Sequence, residues 1–214
     1  MTDDLARRLA GAAPPGEPLD LEAVRTRLAR AAADAGLLDV AYGTLDSPLG
    51  PLTVVVTPRG LLQVAYVEEP ADAQLEAIAA RISPRILAAP ERTDGVRRQL
   101  DDYFGGRRRH FEVPIDWRLT RGFAGDVLRA TAAIPFGSVS TYRGVATSAG
   151  SPNAYRAAGN ALGSNPIPIV VPCHRVLHAD GGLGGYTGGL ARKRFLLQLE
   201  GVGVPGNEPA GSGV

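Results

Sequence analysis

A chain of 214 residues, 44% of them apolar, can fill one large core or two smaller ones. No apolar run approaches membrane-spanning length, and the acidic start Met1 to Leu5 lacks the basic flank of a secretory signal, so a soluble cytoplasmic protein is expected. A single cysteine, Cys173, excludes an internal disulfide and the usual multi-cysteine zinc site. The net charge of +1 hides an asymmetry: residues 117–201 hold nine Lys and Arg against three Asp and Glu, and the rest of the chain holds fourteen against nineteen. A basic half suits a polyanionic partner. Nearly all of that charge is arginine, which stacks and binds bidentately where lysine cannot; Lys193 is the only lysine.

In chain order, residues 1–19 contain Gly11 to Gly16, a glycine- and proline-rich break that reads as a lead-in. Asp20 can cap a helix running to about Ala35, with Leu21, Val24 and Leu28 on one face and Gly36 as its stop. Strands follow at Val40 to Leu45, Leu52 to Thr57 and Leu61 to Val67, separated by the turns Ser47 to Gly50 and Pro58 to Gly60; this is an antiparallel meander. Helices are expected from about Ala71 to Arg81 and from Asp94 to Tyr103, the second closed by Gly105 and Gly106, with one more strand over Phe111 to Ile115. None of this half carries recognisable chemistry. Arg107 to Arg109 with His110 reads as a solvated loop.

The second half opens with a helix over Phe123 to Ala133, Val127 and Leu128 facing inward, that ends at Ile134 to Gly137. Thr141 can cap a short helix to about Ser148, Gly150 makes a turn, and Ser151 with Pro152 forms an N-cap and first-turn pair for a second helix to about Leu162. Two short helices joined by a glycine turn make the helix-turn-helix pattern. The second helix is slim, with Ala154, Ala157, Ala158, Gly159, Ala161 and Gly163, so its backbone can approach a partner closely; Arg156 stands out as a long cation on that smooth surface.

Cys173 follows the short apolar run Ile167 to Val171, bounded by prolines, which reads as a buried strand delivering it to a break at Pro172. His174 is adjacent, and neighbouring residues rarely point the same way, so a water is the expected relay between the two. A thiol near pKa 8.5 is only a few per cent ionised at neutrality, and Arg175 or the turn after Pro172 are candidates to lower it. His174 and His178 are four apart, but His178 lies among Asp180, Gly181 and Gly182 in an expected loop, and no metal is expected there.

The stretch NPIPIVVPCHRV over residues 165–176, with GYTGGL over residues 185–190, resembles the active-site signature of the O6-alkylguanine-DNA alkyltransferases. The likeness is ungapped from about Phe123 to Gly201 and looser back to Val40. It implies an α+β chain, with a small α/β supporting domain with an antiparallel sheet over 39–117 and a mostly helical DNA-binding and alkyltransferase domain over 118–201; the extension over 1–38, with one helix, and the flexible tail expected over 202–214 lie outside the likeness. It implies single-turnover transfer of an alkyl group from O6-alkylguanine in double-stranded DNA to Cys173 after base flipping, by a monomer acting at the nucleoid, with no cofactor because DNA is the donor. In that pattern Glu200 holds His174, His174 acts on Cys173 through water, and Asn165 fixes the turn that carries the thiol. Tyr142, Tyr186, Thr187, Pro168 and Leu162 would form the base pocket, the carbonyls of Cys173 and Val176 would accept from the exocyclic amine, and Gly188 and Gly189 would keep the covering loop low. Arg156 would fill the vacated stack from the minor groove, with Tyr142, Asn153, Ala157 and Gly159 also at the DNA. Ala124, Leu128 and Asn160 depart from the usual residues, and Asn160 lies on the DNA-facing helix.

Three rivals are weighed against this. A lesion-binding module would lack the cysteine. A cysteine hydrolase would need a better-placed base, an orienting residue and an oxyanion motif. A helix-turn-helix regulator would need no thiol and would depend on DNA sequence rather than on a lesion.

Overall fold

The computed structural model describes residues 20–67 and 71–203. The lead-in over 1–19 and the tail beyond 203 lie outside them. Helix α1 (Leu21–Asp34) starts where the sequence places it, Asp20 accepting from the amides of Glu22 and Ala23 at 3.0 and 3.1 Å. Its buried face differs from the expected one: Leu21 and Leu28 are exposed, and the inward residue is Ala29, which lets the helix lie close over the sheet edge.

The sheet has the order β3-β2-β1-β4, from β1 (Val40–Leu45), β2 (Leu52–Thr57), β3 (Gly60–Tyr66) and β4 (Ile86–Ala88). The first three form the antiparallel meander, and β4, which the sequence did not reveal, runs parallel to β1. Strand β2 shows no apolar alternation because both its faces are covered. One face carries α3 (Pro90–Phe104), and the other meets Ile78 of α2 (Ala71–Arg81) beside Val40, Val55 and Leu62. Gly43 permits the close approach of α3, since a Cβ there would sit 2.7 Å from Thr93 Oγ1 and 3.1 Å from Pro90 Cα. Helix α3 begins at Pro90 rather than Asp94, proline being well suited to the first helical turn.

Residues 111–115 do not form the expected strand. Pro114 has no amide to offer a ladder, and the segment is tied instead by Leu61 N to Pro114 O at 2.8 Å and by Glu112 N to the Gln99 side chain at 2.8 Å. Beyond it, buried Asp116 takes a fork of hydrogen bonds from Arg118 and one from Thr57 at 2.6 Å.

The second half is helical: α4 (Gly122–Ala132), α5 (Tyr142–Ser148), α6 (Tyr155–Gly163) and α7 (Leu190–Leu199), with a two-residue parallel pair β5 (Ser140–Thr141) and β6 (Val176–Leu177). Leu128 is core, and Ala124 is half-buried against it, so these two unusual residues act in packing. Thr141 caps α5 as expected, accepting from Gly144 N at 3.0 Å, and Gly150 makes the turn at φ +81°. Helix α6 starts later than Ser151 and Pro152 suggest. Ala154 N is bonded to Ser151 O at 2.9 Å, so residues 151–154 close a separate turn and Ala154 occupies the cap.

Candidate active site

The apolar run before Cys173 is buried but is not a strand. Pro166 and Pro168 have no amides, Ile169 sits at φ +75°, and the bonds Val171 N to Ile167 O and Cys173 N to Val171 O fold the run into consecutive turns. Asn165 supports that fold at both ends. Its Oδ1 accepts from Ile167 N at 3.0 Å, while its Nδ2 donates to Val171 O at 2.8 Å and to Cys173 Sγ at 3.2 Å. The chain then enters a 3-10 turn, Cys173–Arg175, in which both Cys173 and His174 are buried.

His174 is fully buried and its Nε2 lies 2.9 Å from Glu200 Oε1. Burial pushes the imidazole below its ordinary range despite the carboxylate, so it is neutral at pH 7. A carboxylate only accepts, so Nε2 carries the hydrogen and Nδ1 carries the lone pair. That Nδ1 is buried with no protein partner.

Glu200 gathers donors from several segments. Arg175 donates from Nε to Oε2 and from Nη2 to Oε1, both at 2.8 Å; Gly137 N reaches Oε2 at 3.2 Å; Tyr103, from α3 in the sheet half, donates to Oε1 at 2.7 Å. Burial pushes the carboxyl up, but the bonds from His174 and Arg175 outweigh it and hold the pKa at about 2. Arg175 is thus committed to Glu200 and to the carbonyl of Ile134. It is not the group that tunes the thiol.

The thiol itself is pushed up to about 11 by burial, with the Asn165 bond and the charge of Lys193 acting against that rise. Lys193 is the cation that the sequence left unassigned. It is buried, its ammonium donates to the carbonyls of Val176 at 2.6 Å, of Gly185 at 3.3 Å and of Leu183, and burial brings its pKa down to about 8. It binds the loop over residues 183–185 to the turn that carries Cys173. The expected acceptor carbonyls are therefore already engaged on one side, Val176 O by Lys193 and Cys173 O by the amide of Val176. A carbonyl has two lone pairs, so each keeps one.

Cys173 borders an open cavity of about 740 Å³, within the range of small-ligand sites. Tyr142, Leu162, Tyr186 and Thr187 line it, with Arg156 and Gly159 of α6 at its mouth. Tyr142 packs on the space left by Gly159 and Gly184, 5.2 Å from the ring of His178. Pro168 lies instead on a neighbouring cleft with Asn165, Gln63 and Tyr66. Gly188 has a role different from keeping a loop low. A Cβ there would lie 2.5 Å from the Tyr66 ring, so the glycine makes room for a side chain of β3, whose hydroxyl is 2.8 Å from that of Tyr186. On α6, Arg156, Ala157 and Asn160 are exposed while Ala158, Ala161 and Leu162 are buried, and Asn153 is exposed in the turn before it. His174 and His178 share no helix, the 3-10 turn ending at Arg175, and among the described residues no three metal-ligating side chains cluster.

Sequence reasoning alone missed Tyr103 and Lys193. Nothing local marks Tyr103, whose partner is 97 residues away. For Lys193, its being the sole lysine in an arginine-rich half was the available signal.

Two family models match the chain: the "6-O-methylguanine DNA methyltransferase, ribonuclease-like domain" over residues 40–117 and the "6-O-methylguanine DNA methyltransferase, DNA binding domain" over residues 122–202. A Mycobacterium bovis protein named methylated-DNA--protein-cysteine methyltransferase is 41% identical over 164 residues, covering 74% of this chain and 91% of the relative. A Methanosarcina barkeri protein of the same name is 36% identical, covering 74% and 96%. The crystal structure of Mycobacterium tuberculosis OGT in complex with DNA superposes with a TM-score of 0.64 at 40% identity, over 75% of this chain and 92% of that one.

Proposed function

Because the chain belongs to the 6-O-methylguanine DNA methyltransferase family, we propose that it binds double-stranded DNA, extrudes an O6-alkylguanine, and moves the alkyl group onto Cys173 once per molecule. The protein is a direct-reversal repair enzyme, a methylated-DNA--protein-cysteine methyltransferase. The observation that carries the chemistry is a thiol held by Asn165 at the edge of an open cavity large enough to admit a nucleobase, with a neutral, carboxylate-bound histidine beside it in the chain.

Extrusion is a geometric requirement. O6 of a paired guanine lies within the duplex, and a thiol fixed in a turn cannot reach it there. With its pKa near 11, roughly one thiol in ten thousand is ionised at neutral pH, so the proton must leave as the lesion docks. The lone pair on His174 Nδ1 takes it through a water spanning Sγ and Nδ1, and Glu200 stabilises the imidazolium. Sulfur then bonds to the alkyl carbon as the carbon–O6 bond breaks, and the guanine departs with that electron pair. Tyr142, whose phenol burial keeps protonated, can donate to the departing base. The product is a thioether, and no group in the site can hydrolyse it, so one lesion consumes one protein.

The lesion-selective reading is tested by intact-protein mass spectrometry after incubation with a duplex holding one O6-methylguanine. The expected result is a gain of about 14 Da on the peptide with Cys173, saturating at one per protein, and none in Cys173→Ser, which still binds the duplex. Lesion-selective binding without any mass change in the wild type would overturn the transfer and leave a binding module.

A further inference from the structure

Arg143, the second residue of α5, borders the cavity that holds Cys173 and is exposed at its mouth, directly after Tyr142 in the chain. Its guanidinium carbon lies 5.5 Å from the centroid of the Tyr155 ring, an attraction that leaves its N–H donors without an acceptor. Among the described residues that guanidinium makes no hydrogen bond and no ion pair. By contrast Arg118, Arg129, Arg175 and Arg192 of the same half all donate to protein oxygens. A permanent positive charge with five unengaged donors therefore stands at the mouth of the site, where no acidic side chain answers it.

We infer that Arg143 anchors a phosphate flanking the extruded nucleotide, a contact made with lesion DNA after flipping and not with undamaged duplex. The inference rests on the base-flipping reading above. A flipped nucleotide stays joined to its neighbours, so when its base enters the cavity its sugar and the two adjoining phosphates stop at the mouth. Those phosphates are turned out of the regular backbone path and bring negative charge to the rim. In the family's pattern Arg156, the other arginine there, fills the gap inside the duplex and is not available to them. Arg143 stands on the other helix, next to a residue that borders the base. A guanidinium matches a phosphate with two parallel hydrogen bonds. The guanidinium carbon of Arg156 is 5.8 Å from the centroid of the same Tyr155 ring, so two like charges share one aromatic side chain, and an arriving anion relieves their repulsion.

The test measures affinity by fluorescence anisotropy across a salt series, in the Cys173→Ser background so that binding reaches equilibrium. Proteins with Arg143 intact, Arg143→Gln and Arg143→Lys are compared on a duplex with one O6-methylguanine and on its undamaged counterpart. The lesion duplex is then remade with uncharged methylphosphonates in place of the phosphates on either side of the lesion. The expected result is that Gln weakens binding to the lesion duplex about tenfold and lowers the slope of log affinity against log salt by about one, with neither change on undamaged DNA. Lys, which keeps the charge, should keep the slope. With methylphosphonates beside the lesion, the difference between Arg and Gln should vanish. No loss for Gln overturns the anchor, and so does a loss that is equal on undamaged DNA or that persists beside methylphosphonates. A slope lost in Lys as well as in Gln, at matched thermal midpoints, also overturns it. Methyl transfer by the protein with native Cys173 is scored by mass on the same lesion duplex. Full transfer with no effect of Gln removes the anchor alone, whereas absence of transfer removes the flipping reading and the anchor with it.

Discussion

Replacing Tyr103 with phenylalanine removes one hydroxyl and nothing else, and it isolates a hydrogen bond by which the sheet half reaches the Glu200 carboxylate. Tyr103 is fully buried and its hydroxyl is 2.7 Å from Glu200 Oε1. A hydrogen bond to a charged group contributes about 1.5–3 kcal/mol. The lower part of that range applies, because Oε1 keeps His174 Nε2 at 2.9 Å and Arg175 Nη2 at 2.8 Å when the phenol is gone. At roughly 2–4 °C per kcal/mol for a chain of this size, the melting midpoint should fall by about 3–8 °C at neutral pH. The pH dependence gives the sharper reading. Glu200 is held at about 2 against an ordinary 4.5, so its stabilisation is complete above pH 4.5 and is lost as pH falls towards 2, a total of about 3 kcal/mol. Because Tyr103 helps to depress that pKa, the gap between wild type and variant should be largest at neutral pH and should close over the same interval. A second readout follows from the histidine. With one donor fewer, the carboxylate attracts the imidazole proton more strongly, so the acid limb of the transfer rate, measured by rapid quench with lesion duplex, should move to higher pH. A stability loss that is the same at pH 3 and pH 7, with an unmoved acid limb, would refute the reasoning and reduce Tyr103 to packing.

Two further outcomes follow from the same geometry. Lys193→Met removes the ammonium from three carbonyls, leaving buried acceptors unpaired at about 1–3 kcal/mol each if they do not reach water, so the single-turnover rate should drop more than affinity for the duplex. Since Lys193 has a pKa of about 8, wild-type transfer should decline above that pH even as the thiol ionises further, the neutral amine having only two donors for three carbonyls; a rate that climbs steadily to pH 10 would count against this. Gly188→Ala places a Cβ 2.5 Å from the Tyr66 ring and should destabilise by about 1–3 kcal/mol through overpacking. Tyr66→Ala in the same chain should recover part of that loss in a denaturant titration, and strictly additive losses would argue against the contact.

How much of this was legible depends on whether a feature is local. Strands β1 to β3 were readable because β-branched runs are cut by Ser47 to Gly50 and Pro58 to Gly60, turns with their own chemistry. The cap at Thr141 was readable for the same reason. The run Ile167 to Val171 was misread because apolarity reports burial and not backbone conformation; the positive φ at Ile169 is imposed by the two prolines and by Asn165, which grips both ends of the turns. Leu21 and Leu28 show the reverse error, apolar periodicity on a helix whose small alanine face is the one buried. Within the site, Cys173, His174 and Asn165 lie within ten residues and announce themselves. Glu200 was reachable only through the family resemblance, and Tyr103 by neither route.

The convergence on Glu200 explains why a charge this deep is tolerated. An ion buried with one partner is a poor source of stability, since losing water costs several kcal/mol that a single contact seldom recovers. Here two oxygens receive five donors, a forked Arg175, His174, Tyr103 and the amide of Gly137, so desolvation is offset by bonds rather than by one ion pair. Those donors come from α3, from the loop after α4 and from the turn that carries Cys173. The carboxylate that holds the His174 ring is therefore fixed mainly by the helical half, with one of its five donors supplied by the sheet half. The half that looked chemically silent supplies a hydroxyl to the carboxylate that holds His174, and through Tyr66 it also meets Gly188 and Tyr186 beside the pocket. A helical half expressed without residues 40–104 would retain Cys173, His174 and Glu200 but lose one of the five donors that fix the Glu200 carboxylate.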